Sequence, residues 1–137
     1  MNVDEIIGGW RLVDCSVERA GKESRPLGDR PGGVLLYARD GWMSALLTSD
    51  PAVVGRAAAQ PEALSEAGVS GGTVAYAGRW ERMPDGSVRH HVLASHYGPW
   101  VGVTLERTVH SEPDALVLTA TTDDGARQHL RWRRVRG

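Results

Sequence analysis

The chain has 137 residues, 41% of them hydrophobic and 24% charged, with a formal net charge of −1. That describes one domain with one core, spanning residues 1–137, and excludes a disordered chain and a cationic nucleic-acid-binding surface. The single cysteine, Cys15, excludes an intrachain disulfide and a multi-cysteine zinc site, while five Trp and three Tyr with no Phe give every aromatic ring a polar tip.

Short apolar runs separated by turn residues predict an antiparallel all-β fold. The first strand is expected over Gly9–Val17, followed by a polar loop from Glu18 to Pro31. Gly33–Ala38 and Trp42–Leu47 flank Arg39-Asp40-Gly41, an Asp-Gly hairpin signal. Residues 61–67, Pro-Glu-Ala-Leu-Ser-Glu-Ala, read as one short helix, with proline near its start. Thr73–Glu81 and Ser87–Ser95 form a second hairpin around Pro84-Asp85-Gly86, and Val101–Val109 with Ala115–Ala120 a third. Gln128–Val135 is the last strand. Eight strands suffice to close a small barrel.

The amino terminus has neither a basic start nor a long apolar run, and no stretch reaches the length of a membrane helix. A cytoplasmic protein with no membrane partner is therefore expected.

Gly8-Gly9-Trp10-Arg11-Leu12 on the first strand and Leu130-Arg131-Trp132-Arg133-Arg134 on the last resemble the lipocalin pattern. Further segments are similar to the small microbial lipocalin-like domain family: Gly33–Tyr37, Asp40–Ser44, Ala75–Trp80, Val88–Val92, Pro99–Gly102 and Arg107. The resemblance implies an eight-stranded antiparallel up-and-down β-barrel with an apolar interior. It also implies that Trp10 plugs the closed end, with an arginine of the last strand, Arg131 or Arg133, packed across it. Related barrels include binding proteins as well as cofactor-free cyclases and isomerases of natural-product metabolism, which sets a prior and not a function.

Strand side chains alternate between faces, so each strand has one inner set. The more apolar sets are Trp10, Leu12 and Asp14; Leu35 and Tyr37; Met43, Ala45 and Leu47; Val74, Tyr76, Gly78 and Trp80. The later strands add Val88, His90, Val92, Ala94 and His96, then Val101, Val103, Leu105 and Arg107. Cys15 then faces outward. Apolar walls with a few polar groups describe a small-molecule site.

His90 is the candidate acid or base, because imidazole titrates near neutral pH. Tyr76 and Tyr37 are candidate donors to a carbonyl oxygen. Trp80, Trp100, Arg107, Met43, His96 and Asp14 complete the candidate substrate-binding set. Arg107, if inward, needs an acidic or carbonyl partner, for which a ligand carboxylate and Asp14 serve equally. No metal is expected: His90 and His91 point to opposite faces, and His96 lies about 20 Å from His90 along an extended strand. No cofactor is expected either.

The favoured expectation is a hydrophobic small molecule held in the barrel and converted by a cofactor-independent cyclase or isomerase acting on a polyketide-like metabolite. The alternative is a carrier or sequestering protein without chemistry. A homodimer is left open.

Overall fold

Alternating apolar and polar residues make ribbons with one oily face, and closing the ribbon on itself buries that face without leaving an edge. A computed structural model describes residues 3–50, 73–122 and 125–135. Among them are nine strands: β1 (Gly8–Arg19), β2 (Lys22–Ser24), β3 (Gly32–Tyr37), β4 (Trp42–Thr48), β5 (Thr73–Arg82), β6 (Val88–Ser95), β7 (Thr104–Glu112), β8 (Ala115–Thr121) and β9 (Arg127–Arg134). From β3 to β9 each strand pairs antiparallel with the next, and β1 pairs with both β3 and β9. The result is a closed, eight-stranded antiparallel barrel. The short β2, which lies within the expected loop, pairs only with the far end of β1. The helix expected over 61–67 lies outside the described residues.

Trp10 and Arg134 close one end. Trp10 is buried, and its Nε1 donates to the carbonyl of Ile6 at 2.9 Å. The Arg134 guanidinium lies 4.1 Å from the indole centroid. Its Nη1 donates to the Ile7 carbonyl at 2.9 Å and its Nη2 to that of Glu5. Gly8 makes room for it: the backbone there has φ of +129°, and a Cβ would come within 3.0 Å of Nη1. Arg82 ties the same end together, donating to the Gly86 carbonyl at 2.7 Å and pairing with Glu5 at 2.9 Å.

The closing arginine is therefore Arg134, which corrects the expectation for Arg131 and Arg133. Both of those are exposed, and Arg131 pairs with Glu112 on the outside at 3.1 Å. Arg134→Ala is expected to lower stability by about 2 kcal/mol, through loss of cation–π contact and two carbonyl bonds. Arg131→Ala and Arg133→Ala are expected to stay within about 0.5 kcal/mol of wild type. Urea denaturation of the three variants checks the order.

Two bulges decide which side chains face inward. β1 shifts register against β9 between Leu12 and Asp14, and β6 shifts against β5 between Ala77 and Gly78. An extra residue inverts the alternation beyond it. In β1 this turns Cys15 inward, fully buried, and leaves Asp14 half-buried in an ion pair with Arg25 at 3.1 Å. In β6 it leaves Ala94 exposed, and likewise His96 just past the end of the strand. β3, β4 and β5 have no bulge before the site, and their inner sets are the expected ones.

Candidate functional site

The barrel interior holds three polar side chains bonded in a row. β3 contributes Tyr37, β5 Tyr76 and β6 His90, all buried. The Tyr37 hydroxyl lies 2.5 Å from His90 Nε2, and the Tyr76 hydroxyl 2.7 Å from Nδ1. Trp80 backs the array, its ring centroid 5.0 Å from that of Tyr37 and its Nε1 donating to the Ala38 carbonyl at 2.9 Å.

The proton positions follow from counting donors. Burial, reinforced by the charges of Arg107 and His91, lowers the His90 pKa from 6.5 to about 3. The ring is thus neutral at pH 7 and carries one N–H and one bare nitrogen. One tyrosine donates to the bare nitrogen, and the other accepts from the N–H and must place its own proton elsewhere. Tyr37 is enclosed, with His90 its only hydrogen-bond partner among the described residues. Stranding its proton would cost about 1–3 kcal/mol. Tyr76 instead lines a cavity. The satisfied arrangement has Tyr37 donating to Nε2, Nδ1–H donating to the Tyr76 oxygen, and the Tyr76 O–H directed at the cavity. Burial raises the pKa of both hydroxyls, Tyr37 most, so both stay protonated at pH 7.

The cavity is bounded by apolar side chains of β3, β4, β5, β8 and β9, with Tyr76, His90, Trp100, Arg107, Gln128 and Trp132 as its polar-tipped wall. It leaves about 20 Å³ for the centre of a water-sized group, roughly room for one water. Trp100 sits on a loop, in the 3-10 turn Gly98–Trp100, and meets Tyr76 and Tyr97 edge-on at 5.5 and 5.7 Å. Arg107 reaches the cavity from β7, whose half-buried face is Leu105, Arg107 and Val109.

The family profile described as a lipocalin-like domain matches residues 7–135. The chain belongs to the lipocalin-like domain family. Among solved structures, this lipocalin-like domain is similar to a redesigned β-barrel, with 11% identity over 97% of this chain and 94% of that one and a TM-score of 0.48. It is also similar to a de novo designed fluorescence-activating β-barrel, with 16% identity over 98% and 100% of the two chains and a TM-score of 0.49. A comparison with curated proteins finds no match.

Within this lipocalin-like domain the candidate residues separate into three groups. Tyr76, His90, Trp100 and Arg107 meet at the cavity. Tyr37, Trp80 and Met43 lie beside or behind its wall and do not line it. Asp14 and His96 are away from it: Asp14 holds Arg25, and His96 Nδ1 accepts from the Ala75 amide at 3.0 Å. Val101 and Val103 are also exposed, because a turn occupies the start of the expected strand and β7 begins at Thr104.

Gln128, Leu130 and Trp132 were not among the expected site residues, though their spacing of two on β9 places them on one face. Cys15, also unexpected inside, is bonded by the Gln128 side chain, and burial pushes its thiol up to about 12, so it is inert as a nucleophile at pH 7. Among the described residues no group of three His, Cys, Asp or Glu is placed to hold a metal, and no helix is long and apolar enough to cross a membrane.

Proposed function

We propose that the chain acts as one domain that takes an apolar or amphipathic small molecule into the barrel cavity and holds an oxygen of that molecule on the Tyr76 hydroxyl. The single observation carrying this reading is the occupation of both His90 nitrogens by tyrosine hydroxyls beside the cavity, which leaves one O–H proton with no acceptor within the Tyr37–His90–Tyr76 row. Because the cavity has room for little beyond one water, binding requires Trp100, the wall residue on a loop, to yield.

A second reading adds chemistry to the same site. A fixed O–H donor aimed at a carbonyl oxygen stabilises charge that develops there, and confinement orders a flexible substrate. Those are the needs of a cofactor-independent cyclase or isomerase acting on a polyketide-like molecule. His90, neutral through the physiological range, serves in that reading to hold and polarise Tyr76 and not to collect protons from solvent. A carrier uses the same contacts and returns its cargo unchanged.

Binding is tested with the neutral fluorophore N-phenyl-1-naphthylamine. Wild type is expected to enhance its emission saturably, and Ala45→Leu, which takes up the cavity from β4, to reduce the affinity about tenfold or more while keeping the β-sheet circular dichroism signal. Equal binding to both proteins would place the fluorophore on the outer surface and remove support for an interior site.

A further inference from the structure

The polar atoms around the cavity are unbalanced. Tyr76 directs a proton at it, and Arg107 brings a guanidinium with five N–H donors. Trp132 is 1% exposed, lines the same cavity, and has no acceptor for its buried Nε1–H among the described residues. The His90 lone pair is used by Tyr37, and the Gln128 amide N–H is bonded to Cys15, so its uncharged carbonyl is the one side-chain acceptor left among the described lining residues. Among the described residues the wall contains no carboxylate.

Among the described residues Arg107 also lacks the counterion that the sequence left open. Its recorded bond is from Nη1 to the carbonyl of its own neighbour, Glu106, at 3.0 Å. Its neighbour Glu106 pairs with Arg89, and Asp14 and Glu112 pair with Arg25 and Arg131, each at 3.1 Å. Among the described residues no carboxylate pairs with Arg107. Solvent reaches this half-buried side chain, which lets it persist without a partner, and its charge still bears on Tyr37, Tyr76 and His90.

We infer that the ligand carries a carboxylate, seated between the Arg107 guanidinium and the Tyr76 hydroxyl, with its apolar part against the aliphatic wall. The inference rests on the binding reading above and narrows it to anionic amphiphiles. A carboxylate presents two oxygens to the guanidinium fork and accepts from Tyr76 as well. An alcohol offers one weaker, uncharged acceptor and leaves the guanidinium charge unmatched. An ammonium group would face a cation and a row of protons.

The test is calorimetric titration of the intact chain with octanoate, octan-1-ol and octylamine at pH 7.5 and low ionic strength. Octanoate is expected to bind about tenfold or more tighter than the other two. Arg107→Met is expected to reduce that advantage to about twofold or less, and Tyr76→Phe to weaken octanoate about fivefold. The second variant keeps its ring and stands as a separate check if the first does not fold. Octan-1-ol or octylamine binding as tightly as octanoate, an octanoate affinity unchanged by Tyr76→Phe, or an octanoate advantage unchanged by a folded Arg107→Met overturns the carboxylate assignment alone. Absence of binding by all three overturns the interior-binding reading, and the assignment with it.

Discussion

Gly78→Ala is expected to destabilise the barrel by about 3 kcal/mol or more, or to prevent folding. At Gly78 the β5–β6 ladder resumes opposite Val92 after skipping Leu93, and the β6 backbone comes in against the glycine. A Cβ there would overlap the carbonyl oxygen of His91 and press on the backbone nitrogen of Leu93. The nearest atoms are all β6 backbone, so no flexible side chain can give way. Gly98→Ala is the matched control: nothing lies within 4 Å of the added Cβ, and the change is expected to stay within about 0.5 kcal/mol of wild type. Urea unfolding of both proteins measures the difference, and a Gly78→Ala protein as stable as its control would contradict the close approach of β5 and β6.

His90→Gln is expected to cost about 2–4 kcal/mol at pH 7.5, because glutamine reproduces at most part of a two-sided bond to Tyr37 and Tyr76. The pH dependence is more diagnostic than the size. In the folded chain burial lowers the His90 pKa from its ordinary 6.5 to about 3, so below pH 6.5 the unfolded chain takes up a proton that the folded chain refuses. The stability contributed is complete above about pH 6.5 and is lost as pH falls towards 3, at about 1.4 kcal/mol per pH unit. From pH 7.5 to 4.5 wild type should lose about 2–3 kcal/mol through this one group. His90→Gln lacks that slope, so the two stability curves should converge as the solution is acidified. Parallel curves would mean that His90 does not resist protonation in the fold.

The parts of the barrel that were legible in the sequence are those with an uninterrupted alternation. Leu35 and Tyr37, Met43, Ala45 and Leu47, and Val74, Tyr76 and Trp80 fall on the inner face because no extra residue intervenes between turn and site. Val88, His90 and Val92 do too, since the β6 bulge comes only after them. Asp14, Cys15, Ala94 and His96 were misplaced by single-residue bulges. For β6 a signal existed, since a glycine inside a strand marks close backbone approach; for β1 nothing in Leu12-Val13-Asp14 announces the shift. The choice among Arg131, Arg133 and Arg134 depends on the register in which β9 closes against β1, pairing Trp10 with Arg134. That register is a property of the closed barrel and not of either strand. The alternation placed Tyr37, Tyr76 and His90 inside, but their bonding to one another requires the curvature of three strands, which no local pattern encodes.

The proton arrangement of Tyr37, His90 and Tyr76 underlies both the binding reading and the carboxylate assignment, and it is open to direct observation without any ligand. Long-range proton–nitrogen correlation spectra of the chain with ¹⁵N-labelled histidine, recorded from pH 7.5 to 5, report which nitrogen of His90 carries the proton. The expected result is a neutral ring across the whole range, protonated at Nδ1 and bare at Nε2. A ring protonated at Nε2, or one that gains a second proton near pH 6.5, would contradict it and would leave the cavity without the Tyr76 proton.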